Sequence, residues 1–178
     1  DRLGEPVWAS WDLTASDVGT NARSTKFFTD TNLPAGFNRV TTTDYNGVGN
    51  INFARGHLCP SEDRTDTRQD NDTVFFMSNI MPQAAANNSG VWETFENYCR
   101  TQAATNELLI LCGGSGFGTN TIPSGEAYIP SNTWKVVVIV PLGAGTALSR
   151  LTTSNRVICI SIPSVTSGLS SAWQTYLT

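Results

Sequence analysis

Asn52-Phe53-Ala54-Arg55-Gly56-His57-Leu58-Cys59-Pro60, followed by Ser78-Asn79-Ile80-Met81-Pro82-Gln83 and then by Asn87-Asn88-Ser89-Gly90-Val91-Trp92-Glu93-Thr94-Phe95-Glu96-Asn97-Tyr98-Cys99-Arg100, is the part of the chain that decides its architecture. His57 is the only histidine. Imidazole is the side chain that takes up a proton near neutral pH and gives it back, so base chemistry has one obvious candidate here. From Asn88 to Arg100 there is no proline, Ser89 stands near the start, and Val91, Phe95 and Cys99 recur at helical spacing, which predicts a helix. Steps of four along it bring Asn88, Trp92, Glu96 and Arg100 onto one broad face that drifts by about 40° per step. A carboxamide, a carboxylate and a guanidinium therefore converge. On an arbitrary helix this pattern describes a solvated stripe. Here a strand ending near His57, a loop through SEDRTDTRQDND and a strand in TVFFMSN precede it, and the resulting strand, strand, helix unit can hold His57 against the helix face.

Outward from this unit, Trp8 to Leu13, Val74 to Met77, Leu108 to Cys112, Trp134 to Leu142 and Val157 to Ile162 are short apolar or alternating runs, rich in β-branched residues and bounded by Gly, Pro, Asn or Thr. They read as strands. No internal repeat, low-complexity block or linker divides the chain. Its 178 residues, 39% of them hydrophobic, suffice for one sizeable core, so a single domain over 1–178 is expected. The longest apolar run, Val136 to Leu142, contains Pro141 and falls far short of the roughly 20 residues a membrane helix requires. The first residue is Asp1, which suits a mature secreted chain and a cloned fragment equally.

Cys59, Cys99, Cys112 and Cys159 include no C-x-x-C pair, which argues against zinc or a dithiol motif. They are expected either to form one or two disulfides in an oxidising compartment, secreted or periplasmic, or to be buried thiols, as the apolar settings of Cys112 and Cys159 suggest. Asn71-Asp72-Thr73 and Asn87-Asn88-Ser89 match the glycosylation triplet. A net charge of -4 and only two lysines, Lys26 and Lys135, oppose a protein that coats nucleic acid through a basic field. An enzyme that aims a few arginines and a cation at one phosphodiester survives that objection. Ser61, Ser78 and the cysteines lack a nucleophile signature, so attack by water is preferred, and Trp92 and Phe95 read as core.

Taken in order and spacing, Arg55-Gly56-His57, then Asn79 with Pro82 and Gln83, then Asn88, Trp92, Glu96 and Arg100 resemble the DNA/RNA non-specific endonuclease family of the ββα-metal, or His-Me finger, superfamily. The resemblance covers most of the chain. It implies an α+β fold with a central, mainly antiparallel sheet flanked by helices and a ββα-metal site at one edge. It also implies Mg²⁺-dependent hydrolysis of DNA and RNA, without sequence preference, to 5′-phosphate ends. Mn²⁺ or another divalent cation can replace magnesium, and no membrane is involved. His57 becomes the general base and Asn88 the direct metal ligand, a credible arrangement for a hard cation that keeps most of its waters. By the same resemblance Glu96 orders a metal-bound water, Asn79 orients the site and Gln83 braces its loop. Arg55, Arg100 and Arg23 meet the charge that develops on phosphate oxygens, Arg23 matching an arginine upstream of Phe27 and Asp30.

The chain departs from that pattern at Ala54, where the family's motif normally begins with aspartate. Loss of such a supporting acid can cost about 10- to 100-fold in metal affinity or activity. Glu62 or Asp63 could compensate. Otherwise the alternative is a catalytically weakened nucleic-acid-binding member of the same fold. The sequence also stops at Ser171-Ala172-Trp173-Gln174-Thr175-Tyr176-Leu177-Thr178, where relatives commonly continue into a further helical region, so a short or trimmed version is expected. Whether a protein inhibitor or a second copy binds it is left open.

Overall fold

Alternation of buried and half-exposed side chains along Asn106–Ser115 and Asn132–Pro141 builds the centre of the molecule. In the computed structural model, which describes residues 3–178 and leaves Asp1 and Arg2 outside, these strands are β4 and β5. They pair antiparallel from Asn106 opposite Pro141 to Ser115 opposite Asn132. Trp8–Leu13 (β1) adds to β4 and Arg156–Pro163 (β6) to β5, both antiparallel, giving a four-stranded sheet in the order β1-β4-β5-β6. One face of this sheet carries Leu108, Ile110, Cys112, Val137, Ile139, Ile158, Ile160 and Ile162. Against it lie Phe95, Cys99 and Ala103 of the helix Glu93–Ala103 (α2), together with Val91 and Trp92 just before it. A separate ribbon pairs Phe53–His57 (β2) antiparallel with Ile80–Ala84 (β3), and the short helix Arg68–Thr73 (α1) lies in the excursion between them. The architecture is α+β with antiparallel sheets, as expected.

Two expectations for the strand, strand, helix unit need correction. Val74–Met77 is not a strand: Val74 ends α1, and Phe75 is buried beside Cys59 and Val74 with Phe27 and Phe28 packed on them. A short apolar run has the same periodicity whether it extends along a sheet or wedges into a core. The second strand is β3, masked in the sequence by Pro82. A two-stranded ribbon leaves each strand one free edge, where proline costs no ladder hydrogen bond. The helix, in turn, is not regular from Asn88. Residues Asn87–Trp92 form a wider turn with non-helical angles at Ser89 (φ -98°, ψ 19°) and Gly90 (φ -128°, ψ -111°), and regular α-helix starts at Glu93. Asn88 therefore sits on a separate, kinked turn before the face that carries Glu96 and Arg100.

The four cysteines are free thiols. Cys112 and Cys159 cannot meet because β5 lies between their strands, which separates them by roughly 10 Å where a disulfide needs Cα atoms within about 7 Å. Burial pushes the thiols of Cys99 and Cys112 up to about 12, which leaves them inert. Neither glycosylation triplet presents its asparagine. Asn71 is fully buried, accepting from the Ser24 backbone N–H and donating to Ser61 and Arg64 carbonyls, and Asn87 is fully buried with its amide donating to Thr133 Oγ1.

Glu5 is buried, and neither carboxylate oxygen has a hydrogen-bond partner. Burial raises its pKa from 4.5 to about 9, a shift that the nearby Tyr128 backbone opposes only weakly. The folded protein thus keeps a proton that the unfolded chain releases above pH 4.5, so this carboxyl costs stability progressively as pH rises from about 4.5 to about 9. Glu5→Gln is expected to stabilise the protein by a few kcal/mol at pH 8, on the order of 1.4 per pH unit of linkage, and little at pH 4.5. Urea titrations of both proteins at the two pH values check this, and an equal effect at both would contradict it.

Candidate active site

Asn52, in the left-handed region at φ 60°, turns the chain into β2. Side chains alternate along a strand, which puts Arg55 and His57 on one face of the ribbon and Ala54 and Gly56 on the other. Gln83, opposite Ala54, lies across that second face with both amide atoms unpartnered. A Cβ on Gly56 would overlap Gln83 Oε1 and come within 2.6 Å of Gln83 Cβ and 3.1 Å of the Met81 carbonyl. Gly56→Ala is therefore expected to cost about 1–3 kcal/mol through overpacking, read as a shift of the denaturation midpoint. An unchanged midpoint would show that Gln83 moves freely.

Beyond His57 the backbone leaves the ribbon, and Asn79 secures it there. The Leu58 N–H donates to the Asn79 carbonyl at 2.9 Å and the Cys59 N–H to Asn79 Oδ1 at 3.0 Å. Asn79 Nδ2 donates to the Cys59 carbonyl at 2.9 Å and to the Val74 carbonyl at 2.8 Å. The His57 ring packs edge-on against Phe75 at 4.7 Å and lies 5.5 Å from Phe27. Its Nε2 is buried and has no partner among the described residues. Burial, and secondarily the charge of Arg23, lower its pKa from 6.5 to about 3. The imidazole is thus neutral across the physiological range and uncommitted at Nε2.

A polar cavity of about 300 Å³ opens beside this ring, lined by His57, Arg23, Arg55, Glu62, Asn88, Glu93, Glu96 and Arg100 among others. Of the residues singled out in the sequence, His57, Asn88, Glu96, Arg23, Arg55 and Arg100 reach it, whereas Asn79, Gln83 and Asp63 do not. Arg23 is exposed, with its guanidinium carbon 4.9 Å from the centre of the Phe75 ring. Arg55 lies 5.2 Å from that of Phe27 and donates to the Thr42 carbonyl at 2.9 Å. Arg100 is already engaged: it donates to Asp63 Oδ1 at 2.9 Å, to Asn97 Oδ1 at 2.7 Å, and pairs with Glu62 Oε2 at 2.8 Å. The Asn88 side chain has no hydrogen bond to another described residue, which leaves its carboxamide oxygen available. Among the described residues no three His, Cys, Asp or Glu side chains gather into a metal cage. A hydrated cation suits this lining, because one neutral oxygen ligand in a pocket with Glu62, Glu93 and Glu96 leaves room for water in the remaining positions.

In the sequence Asp63 stood out only as a possible stand-in for the motif acid, and Lys135 did not stand out as a site residue. Asp63, almost fully buried, accepts from Arg100 and, at 3.0 Å, from Trp11 Nε1. Lys135, 1% exposed, places Nζ 3.3 Å from Glu96 Oε1. Burial pulls its pKa down, but Glu96, with lesser help from Cys112, Cys99 and Asp63, raises it beyond the ordinary lysine value, so it stays an ammonium. The available signal was a lysine inside the apolar run of β5 in a chain with only one other lysine.

Residues 1–177 match the family described as DNA/RNA non-specific endonuclease. A nuclease from Nostoc sp. is 36% identical over 97% of this chain and 61% of its own length. Bovine mitochondrial endonuclease G is 27% identical over 80% of this chain and 50% of its own. The chain thus spans between half and two thirds of these relatives. In a crystal structure of an EndoG/EndoGI complex, one chain superposes with a TM-score of 0.80 over all of this chain and 75% of that one, at 19% identity, which shows the shared fold.

Proposed function

We propose, from the premise that this chain belongs to the DNA/RNA non-specific endonuclease family, that it hydrolyses phosphodiester bonds of DNA and RNA with the help of a divalent cation, leaving 5′-phosphate ends. The observation that carries this reading is the sharing of one polar cavity by a neutral, uncommitted imidazole and an unbonded carboxamide, with Arg23 and Arg55 at its wall. His57 accepts a proton from water as the water oxygen bonds to phosphorus and the bond to the 3′ oxygen breaks, that oxygen leaving as a hydroxyl with a proton from a second water held near Glu96. Arg23 and Arg55 donate to the non-bridging oxygens as their charge grows. Asn88 would hold the cation, magnesium or manganese, with Glu96 orienting water beside it. When bound, that ion supplies Lewis acidity at the phosphodiester and steadies the departing oxygen. Asn79 acts through the backbone just beyond His57, at Leu58 and Cys59, and Arg100 through Glu62 and Asp63. Recognition confined to the phosphate backbone carries no base information, which accounts for a lack of sequence preference.

The test is degradation of plasmid DNA and of a structured RNA with Mg²⁺ and with EDTA. Both substrates should be cut in magnesium and neither in EDTA, with products ligatable through 5′-phosphates. A folded protein that cuts neither under any divalent cation overturns the proposal. The weakened-enzyme alternative rested on Ala54, yet residue 54 lies on the ribbon face opposite His57 and does not line the cavity. Ala54→Asp is accordingly expected to change kcat/KM by less than the roughly 10- to 100-fold typical of restoring a supporting acid. A gain within that range would favour the alternative.

A further inference from the structure

Lys135 belongs to β5 opposite Cys112, on the sheet face that packs against α2. Lysine is among the residues least often buried. Here it lies beneath the cavity, its ammonium 4.4 Å from the centre of the Trp92 ring, 5.4 Å from that of Trp11, and 3.3 Å from Glu96 Oε1. The two indoles offer π-faces rather than lone pairs, so Glu96 is its one salt-bridge partner among the described residues. Glu96 in turn has no other cation bonded to it, because Arg100 is taken by Asp63, Glu62 and Asn97. Lys135, Glu96, Asp63 and Arg100 thus form a buried four-charge group with no net charge, of which only the Glu96 and Arg100 ends reach the cavity.

Stability alone gives little reason for such a group. Well-packed apolar residues usually serve as well as a buried ion pair or better. What the ammonium does supply is a fixed, charged anchor on a rigid strand. We propose that Lys135 is a positioning residue for hydrolysis, holding the Glu96 carboxylate at the cavity floor in the orientation the reaction needs. This rests on the nuclease reading above. Direct contact between Lys135 and substrate is not involved, since its side chain is closed off from solvent.

Steady-state cleavage of a fluorogenic oligonucleotide by wild type, Lys135→Met, Lys135→Arg, Glu96→Gln and the Lys135→Met/Glu96→Gln double variant tests this, with thermal unfolding of each measured alongside. Expected are a fall of about 10- to 100-fold in kcat for Lys135→Met with KM within twofold, and recovery of most of that loss in Lys135→Arg. In the Glu96→Gln background, Lys135→Met should cause no further loss. Multiplying losses, or a rise in KM that tracks the loss of thermal stability, overturns the proposal in favour of a purely structural lysine. Should Lys135→Met fail to fold, Lys135→Gln, which keeps a hydrogen-bond donor, takes its place, and full kcat in either variant overturns the proposal. A wild type that cleaves and a Glu96→Gln variant that does not, alongside active Lys135 variants, would defeat this inference alone. A wild type without activity would instead defeat the nuclease reading.

Discussion

His57→Ala is expected to lower plasmid cleavage by about 10²- to 10⁴-fold, the range a positioned general base contributes. No second imidazole exists to take over. Because the ring packs against Phe27 and Phe75, alanine also leaves a void, and His57→Gln is the better-filled companion. The catalytic loss should appear in both variants, whereas the stability loss should be larger in alanine. The imidazole has a second, opposite signature. Its folded-state pKa of about 3 lies below the ordinary 6.5, so in acid the unfolded chain binds a proton that the folded protein refuses. Stability from this group is intact above pH 6.5 and declines as pH falls toward 3, by about 1.4 kcal/mol per unit. His57→Gln should flatten that slope while removing activity. A variant that keeps cleaving DNA, or an unchanged acid slope, would place the base elsewhere.

Asn88→Ala should raise the Mg²⁺ concentration required for half-maximal activity by at least about 10- to 100-fold, with partial recovery when magnesium is increased. The carboxamide has no hydrogen bond to another described residue, so its removal should leave stability within about 0.5 kcal/mol. Those two results together separate a ligand from a brace. Titration calorimetry with Mg²⁺ or Mn²⁺ in the absence of substrate supplies a readout independent of turnover. An identical metal response in variant and wild type would remove Asn88 from the ligand list.

The strands of the large sheet were legible because each buries one face only, and alternation records that directly. β3 was not legible, since Pro82 reads as a strand breaker unless the chain is known to use an edge there. Val74–Met77 misled for the complementary reason: Phe75 is apolar because it supports an imidazole ring. The helix was visible from Val91, Phe95 and Cys99, but not the kink at Ser89 and Gly90, which detaches Asn88 from the regular face. His57, Arg55, Asn88 and Glu96 could be gathered into one site from spacing and family pattern. Lys135 could not, nor could the pairing of Asp63 with Arg100, because these partners lie on different elements and long-range charge pairing leaves no local periodicity.

The latch formed by Asn79 has an evolutionary corollary. By gripping the peptide just beyond the ribbon's exit, at Leu58 and Cys59, and the returning chain at Val74, it sets the depth of the imidazole without help from the exposed residues 66–69. Those four residues are thereby at liberty to change their side chains in descendant proteins. New substrate-approach contours can be explored there while the proton acceptor stays where it is.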